Sequence, residues 1–369
     1  MNKQKVIYGT VVILAVSLIA ALVVALVLLS IGASPLETYK TILLGPLSDL
    51  FGMTEVLVRA VPLLLVGLGI AISFRSGIIN IGAEGQIQMG VLASTAVALA
   101  LPGLPKLYLL PMALMAGALA GAIWGGIAGW LRARLQVNEI LSTVMLNYIA
   151  GQIYTFLLRG PMLDPAEREM GSGTPQSMRL PDHVILDYIV PGTRLHTGLI
   201  LALVMALLVW ILLWKTTLGY RMRAAGAGAK AARYAGIPVE RYLIVAMLFA
   251  GGFAGLAGAV EVTGVHHRAI EGISSGYGFA GIVVALFGML HPAGIIPSAA
   301  FFGVLLIGAD MTQRYAGVPA NMVLVLQGVI ILSIVSAQSF LRNPYAQERL
   351  LRWFQNLLPA ALRTKKGGQ

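Results

Sequence analysis

Residues 6–31 read VIYGTVVILAVSLIAALVVALVLLSI, a run of 26 residues that contains no charged side chain. A helix of about 20 apolar residues crosses the hydrocarbon core of a bilayer, whereas the apolar part of a secretory signal peptide has only about 7–15 residues. The run therefore predicts an uncleaved transmembrane helix that follows the short basic start Met1–Lys5.

The composition of the whole chain agrees with a membrane protein. Of its 369 residues, 58% are hydrophobic and only 11% are charged, whereas about 25% are charged in a soluble globular protein. Cysteine is absent, which excludes disulfides, a thiolate nucleophile and any cysteine-based metal site. The net charge of +11 could indicate nucleic-acid binding, so the positions of the charged residues along the chain have to be considered.

Further apolar stretches follow along the chain, and together with the first they predict about ten spans. They lie at 56–73, 87–101, 107–131, 140–158, 198–214, 242–260, 277–290, 294–310 and 319–340. The stretches at 87–101 and 277–290 are shorter than the ~20 residues of a full span. Each follows a glycine-rich polar segment, which predicts a broken or partly re-entrant helix lined by protein. The expected fold is an all-α, polytopic transmembrane helical bundle.

The charges are distributed asymmetrically between the predicted loops. If both termini are cytoplasmic, 17 of the 26 basic residues lie on the inner side, while most acidic residues lie outside. This is the positive-inside pattern, and it explains the net charge without nucleic acid. We expect residues 1–340 to form the transmembrane domain, with both termini in the cytoplasm. Residues 341–369 would be a cytoplasmic, amphipathic basic tail, either lying along the membrane as an interfacial helix or serving as a plain anchor tail.

Glycines recur at a spacing that favours close helix packing. Gly117, Gly121, Gly125 and Gly129 repeat every four residues, and Gly251 and Gly255 repeat the spacing in a later span. Small residues at this interval let helix backbones approach each other in lipid. The pattern predicts helix packing, and it leaves open a contact with another subunit.

The basic segment 215–241 is the longest predicted inner loop. Within it, YRMRAAGAGAKAARYAGIP at 220–238 is rich in alanine, which favours a short helix with Arg223, Lys230 and Arg233 on its wet side and Gly236–Pro238 as its end. One interpretation is a basic loop that fixes topology. The other is a coupling helix that docks on a cytoplasmic ATPase.

Two polar stretches adjoin the membrane spans. RSGIINIGAEGQIQMG at 75–90 carries Asn80, Glu84, Gln86 and Gln88, and VNEILSTVMLNYIAGQ begins at Val137. Buried amides and carboxylates need partners or water, so these side chains either cap a break between half-helices, bond to neighbouring helices or line a translocation path. The candidate path residues are Asn80, Glu84, Gln86, Asn138, Ser142 and Asn147.

Several chemistries lack support in this sequence. No GxxxxGK[ST] motif occurs, so the chain is not expected to bind ATP. The adjacent pair His266–His267 lacks spaced further ligands, which predicts a solvated loop and no metal site. The scarcity of ionisable residues within the spans weakens the alternative of an autonomous secondary transporter or channel. An enzyme is not expected, because no His cluster, carboxylate pair or Ser-His-Asp arrangement is evident.

Blocks of the sequence resemble a known family. NIGAEGQIQMG after PLLLVGLGIAISFRSG, VNEILSTVMLNYIA at 137–150, RAAGAGAKAARYAGI at 223–237 and GYGFAGIVVALFGMLHPAGIIPSAAFFG at 276–303 are similar to ABC-importer permeases of the branched-chain amino acid, ribose and nucleoside type. The resemblance covers roughly 55–340 and is nearest to the bacterial nucleoside and simple-sugar permeases. Members often carry an Asn-Pro or similar pair near Gly228–Ala229, where this chain departs from the pattern.

The resemblance implies the function and the partners. The chain would be the permease subunit of an ATP-driven importer in the bacterial cytoplasmic membrane, translocating a polar neutral solute such as a nucleoside or simple sugar. It would bind no cofactor, and ATP and Mg would be used by a separate ATPase. The other partners would be a second, different permease, an extracytoplasmic binding lipoprotein and membrane lipid. The implied ATPase-coupling residues are Arg223, Ala227, Lys230, Ala231, Ala232, Arg233, Tyr234 and Gly236.

Overall fold

The computed structural model describes residues 18, 21–26, 28–29, 32–171, 173–315 and 328–329. These residues form helices joined by turns, with three isolated β-bridges and no strand among them. The α-helices are α1 Pro35–Leu44, α2 Leu50–Arg75, α3 Ala83–Ala100, α4 Lys106–Leu135, α5 Glu139–Arg159, α6 Pro165–Met170, α7 Gly198–Lys215, α8 Thr217–Ala227, α9 Ala229–Tyr234, α10 Val239–Glu261, α11 Tyr277–Phe287 and α12 Pro292–Tyr315. The expected all-α class is confirmed.

Six of the described helices are long and apolar enough to cross a membrane: α2, α4, α5, α7, α10 with the turn after it, and α12. The two stretches predicted to be broken are short helices, because α3 has 18 residues and α11 has 11. The predicted spans at 6–31 and 319–340, and the tail at 341–369, lie wholly or largely outside the described residues.

The described residues divide into two compact units. The larger is Leu43–Gly308 and contains α2 to α11. The described residues before 43 and after 308 belong to the other unit, in which the Tyr39 hydroxyl donates to the Ala21 carbonyl at 2.5 Å.

Within the larger unit, α2 is central and α5 is peripheral. In the most apolar 18-residue window of each helix, 89% of residues are buried in α2 but only 17% in α5. Most of the exposed side chains of α5 are large and apolar, including Tyr148 at 67% and Phe156 at 72% exposure. That surface suits lipid or another membrane subunit.

Helices α3 and α4 both pack against α10 at glycine residues. A Cβ atom added at Gly121 of α4 would lie 2.3 Å from the Gly251 carbonyl oxygen, and one added at Gly90 of α3 would lie 2.2 Å from that of Gly255. Only glycine allows backbones to come this close. The predicted packing role of the glycine stripe is confirmed, and these contacts are internal to the chain.

The outer segment, named for its predicted side of the membrane, lies between α5 and α7 and folds back onto the chain. Its backbone bonds to the turn after α10, with the N–H of Leu180 donating to the His267 carbonyl at 2.8 Å and that of Leu186 donating to the Thr263 carbonyl at 3.1 Å. Both leucines are buried. The segment therefore packs over His266 and His267, which are half-buried, so the expectation of a solvated loop there was wrong.

Candidate functional site

Two short helices begin at the same point of the structure. Glu84 lies in the first turn of α3, and its carboxylate accepts hydrogen bonds from the backbone N–H groups of Gly276 (3.2 Å) and Gly278 (2.8 Å) at the start of α11. The first N–H groups of a helix lack partners within it, and the N-terminus carries a partial positive charge. Glu84 therefore caps the N-terminus of α11, which comes from another part of the chain.

Gly278 is needed for this contact. A Cβ atom at this position would lie 2.3 Å from the Glu84 backbone nitrogen and 2.6 Å from its carboxylate. Any side chain would force the two half-helices apart.

The amides before α3 form a closed network. Asn80 Nδ2 donates to Gln86 Oε1 at 3.0 Å, and Gln86 Nε2 donates to Asn80 Oδ1 at 3.2 Å. The N–H of Gly82 also donates to Asn80 Oδ1, at 2.9 Å. Asn80 and Gln86 are 0% and 1% exposed, so their polar atoms are satisfied inside the protein, as buried amides require.

Asn147 of α5 bonds to the backbone at the start of α3. Its Oδ1 accepts from the Gly85 N–H and its Nδ2 donates to the Ile81 carbonyl, both at 2.9 Å. One side chain thus satisfies a donor and an acceptor that the start of α3 leaves without helical partners.

The remaining candidate path residues lie apart from this network. Asn138 is exposed and caps α5 by accepting from the Ile140 and Leu141 N–H groups. Ser142 is buried and donates to the Glu139 carbonyl of its own helix at 3.2 Å. The structure brings together Asn80, Gln86 and Asn147 at one break, with Glu84 directed to α11.

Helix α3 also carries buried polar atoms without a partner among the described residues. They are Gln88 Oε1, Ser94 Oγ and Thr95 Oγ1. Gln88 Oε1 lies 3.7 Å from the position that a Cβ would take at Gly151 of α5. Such atoms need water or a polar solute, and only Gln88 was within a stretch that the sequence singled out.

Sequence reasoning missed two charged contacts of α2. Arg59 Nη1 donates to the Tyr277 hydroxyl at 2.6 Å, and Tyr277 is 2% exposed. Glu55 is 4% exposed and receives both Nε, at 2.9 Å, and Nη2 of Arg194. The signal available was the single arginine in the apolar stretch 56–73, since charge inside a span usually has a named partner.

A buried histidine lies within the outer segment, two residues before α7. His196 is 1% exposed, and its Nδ1 accepts from the Gly198 N–H at 3.2 Å. Burial lowers the pKa of His196 to about 4, against the opposing influence of the nearby Glu261 carboxylate. Among the described residues, no group of three His, Cys, Asp or Glu side chains is arranged to hold a metal ion.

The inner segment 215–241, named for its predicted side of the membrane, forms two helices where the sequence predicted one. Thr216 caps α8 by accepting from the Gly219 N–H at 3.1 Å, and the chain breaks at Gly228 before the six-residue α9. Gly226 fixes α8 to the end of α2, because a Cβ there would lie 2.1 Å from the Arg75 carbonyl oxygen. The short segment α8–α9 is thereby tied closely to a central helix.

Most of the predicted coupling residues are on the surface of this segment. Tyr234 is 95% exposed, and Arg233 bonds to Glu240 at 2.5 Å. Ala232 differs, because it is buried at 5% exposure. The exposed members are Ala227, Lys230, Ala231, Arg233, Tyr234 and Gly236. Beneath them, a cavity of about 300 Å³ extends to Arg132 and Gln136 at the end of α4.

Arg223 does not lie on the wet side of the segment, as the sequence predicted. It is half-buried, its Nε donates to the Leu213 carbonyl at 2.9 Å, and its guanidinium carbon lies 5.8 Å from the centre of the Trp214 ring. Its partners come from the end of α7, which turns back against α8.

Comparisons with known proteins match this sequence to a family of transport proteins. Residues 52–335 match the family described as branched-chain amino acid transport system / permease component. The chain is 37% identical to a glucose ABC transporter permease protein of Haloferax volcanii, over 91% of this chain and 89% of the relative. It is 36% identical to a guanosine ABC transporter permease protein of Bacillus subtilis, over 85% and 89%. A nucleoside ABC transporter permease protein of Lactococcus lactis is 33% identical, over 84% and 86%.

Each of these three organisms also has a second permease relative. These second relatives are less similar to the chain, at 28% or 29% identity.

Proposed function

The chain belongs to the family of branched-chain amino acid transport system permease components, and we propose that it imports a nucleoside or simple sugar with energy from a separate ATPase. As a permease with six apolar helices among its described residues, it is a multi-pass membrane protein. We further propose ten spans with both termini inside, in the bacterial cytoplasmic membrane.

The proposal rests mainly on α9, which is exposed and directly follows α8, a helix packed closely against α2. Tyr234 and Ala231 face outward, while Gly226 holds the preceding helix in backbone contact with α2. An exposed aromatic side chain is the kind of residue that anchors a protein interface. Because α8 cannot move far without α2, closure of a docked ATPase would be transmitted to the membrane helices.

The solute class follows from the relatives and from the chemistry of α3. The relatives are named for glucose, guanosine and nucleosides, which are rich in hydroxyl groups. Gln88, Ser94 and Thr95 offer an amide and hydroxyls without described partners, and we place them in the path between α3 and α5. Asn80, Glu84, Gln86 and Asn147 would hold the half-helices that frame this path, with Asn138 and Ser142 at its inner end.

The partners follow from the same comparisons. Two permease relatives in each of three organisms favour assembly of this chain with a second, different permease. An ATPase and an extracytoplasmic binding lipoprotein complete the proposed importer. The chain would bind no cofactor and catalyse no reaction, with ATP and Mg used by the ATPase.

The test replaces Ala231 by tryptophan. Ala231 is exposed on the six-residue α9, whereas its neighbour Ala232 is buried and would disturb folding. The matched control is Ala166→Trp, an exposed alanine on the six-residue α6 of the outer segment. We expect Ala231→Trp to abolish both ATPase co-purification and uptake while membrane insertion persists, and Ala166→Trp to retain the ATPase.

Either of two results would overturn the proposal. One is full uptake by the Ala231→Trp variant. The other is uptake by the isolated wild-type chain in vesicles without ATP, which would identify an autonomous secondary transporter or channel.

A further inference from the structure

Trp214, near the end of α7, is surrounded by basic side chains. The guanidinium carbon of Arg75 lies 4.7 Å from the centre of its ring and that of Arg223 lies 5.8 Å away. The ring of His291 lies at 4.5 Å. Cations are attracted to the face of an indole within about 6 Å, so the ring holds two guanidinium groups near each other.

These two arginines bond to backbone oxygens. Arg75 donates from Nε to the Leu290 carbonyl at 2.5 Å and from Nη2 to the Met289 carbonyl at 3.3 Å, and Arg223 donates from Nε to that of Leu213. Neither arginine has a carboxylate partner among the described residues. Arg75 Nη1 and both Nη atoms of Arg223 make no hydrogen bond there. Two like charges held together without a counter-charge favour an anion between them.

A cavity opens beside these free donors. Its volume is about 550 Å³, and its lining contains two cations and no acid. The lining residues are Arg75, Tyr220, Arg223, Ala224, Gly226 and Ala227.

The cavity lies at the depth of lipid headgroups. Arg75 ends α2 and Trp214 is near the end of α7, and both helices are candidate spans. Lys215 lies over the ring of Trp210 at 5.3 Å, and tryptophan with basic residues at span ends marks the membrane interface. The preceding turns of α7 expose Leu207 and Leu208, so this helix offers acyl chains an apolar surface about two turns from Trp214.

We propose that the cavity between Arg75 and Arg223 binds the phosphate of an anionic phospholipid from the leaflet at this end of α2 and α7. Guanidinium groups bind phosphate oxygens through paired, charge-assisted hydrogen bonds, and anionic lipids collect at basic surfaces of this kind. The bound lipid would bridge α2 and α8, the two helices that Gly226 already joins. The inference concerns a ligand of the isolated chain and does not depend on the proposed solute or ATPase.

The experiment is native mass spectrometry of the detergent-purified chain titrated with lipid. Phosphatidylglycerol is compared with phosphatidylcholine of the same acyl chains, and inorganic phosphate is tested separately as a competitor. We expect phosphatidylglycerol to be retained preferentially. Arg223→Gln should weaken its binding roughly tenfold, in line with the loss of a charged hydrogen bond.

Two further variants make the result specific. Arg221→Gln removes a charge from the same helix at an exposed residue that bonds to Tyr242, and it should leave lipid binding unchanged. Ala224→Glu places a carboxylate in the cavity without removing either arginine, and it should abolish binding even if Arg223→Gln folds poorly.

Three results would overturn the proposal. The first is equal retention of the two lipids. The second is unchanged binding of phosphatidylglycerol by folded Arg223→Gln or Ala224→Glu. The third is displacement of phosphatidylglycerol by millimolar inorganic phosphate without any preference between lipids, which would identify soluble phosphate as the ligand.

Discussion

The carboxylate of Glu84 lies 2.8 Å from the backbone nitrogen of Gly278, although the two residues are 194 positions apart in the chain. Each residue lies in the first turn of its helix, so the Glu84 side chain supplies acceptors for backbone N–H groups of α11 that have no partner within that helix. The position of α11 against α3 depends on this contact.

We expect Glu84→Ala to destabilise the protein. The substitution leaves the N–H groups of Gly276 and Gly278 without their acceptor, at a cost of about 1–3 kcal/mol for each buried group. Glu84→Gln keeps an acceptor oxygen and should cost less. Thermal unfolding in detergent measures the difference, with Glu37→Ala at an exposed site of α1 as the control. Equal melting temperatures for Glu84→Ala and wild type would contradict the capping role.

Neighbouring glycines of α10 should differ sharply in their tolerance of a methyl group. A Cβ at Gly251 would lie 2.2 Å from the Gly121 carbonyl oxygen, whereas one at Gly252 would meet nothing closer than 3.5 Å. Overpacking costs about 1–3 kcal/mol or more where the backbone has to move. Gly251→Ala should therefore lower stability and folded yield, and Gly252→Ala should resemble wild type. Size-exclusion profiles and melting temperatures of the two variants test the contact; similar behaviour of both would refute it.

The stability of the protein should fall as the pH is lowered. His196 has a pKa of about 4 in the folded protein, against 6.5 for the unperturbed side chain. Between these values the unfolded chain binds a proton that the folded chain excludes, so the free energy of unfolding decreases as pH falls from 6.5 to 4. The loss between pH 7 and pH 5 is about 2 kcal/mol.

The measurement compares unfolding at both pH values for wild type and His196→Gln. The variant should lose most of the pH dependence. His267, whose pKa burial also lowers, acts in the same direction and leaves a residual slope. An unchanged pH dependence in His196→Gln would assign the effect to other groups.

Tyr234→Ala should weaken binding of the ATPase without changing the stability of the chain. Tyr234 is 95% exposed, so its removal leaves no cavity, and a central aromatic residue of an interface contributes a factor of about ten or more to affinity. Tyr108→Ala is the matched control, because Tyr108 is 60% exposed at the start of α4. The measurement is the amount of ATPase that co-purifies with each variant. Equal recovery of the ATPase with both variants would show that Tyr234 is not part of the interface.

Sequence patterns predicted the parts of this fold that depend on residues close together in the chain. The spans of α2, α4, α5 and α7 follow from apolar length alone. The four-residue glycine spacing predicted the contact of α4, because a smooth helix face requires a close neighbour wherever that neighbour comes from.

The long-range contacts could not be predicted from the sequence patterns. Arg223 was predicted to be solvated because its neighbours in sequence are polar, whereas its contacts, Trp214 and Leu213, come from a helix that turns back against it. The partial burial of His267 likewise depends on the outer segment, which bonds to it from some 80 residues earlier. The predicted path residues were chosen by polarity, and polarity does not distinguish an amide paired with another amide from one that faces a solute.

The glycine contact between α4 and α10 has a practical consequence for measuring motion. Backbones that touch without side chains have no alternative rotamers through which to slide, so the two helices serve as a fixed reference frame. Spin labels placed on exposed residues of α4 and on α9 would therefore report displacement of α9 relative to this frame, and a change in their separation during a transport cycle would measure the movement of the proposed coupling segment.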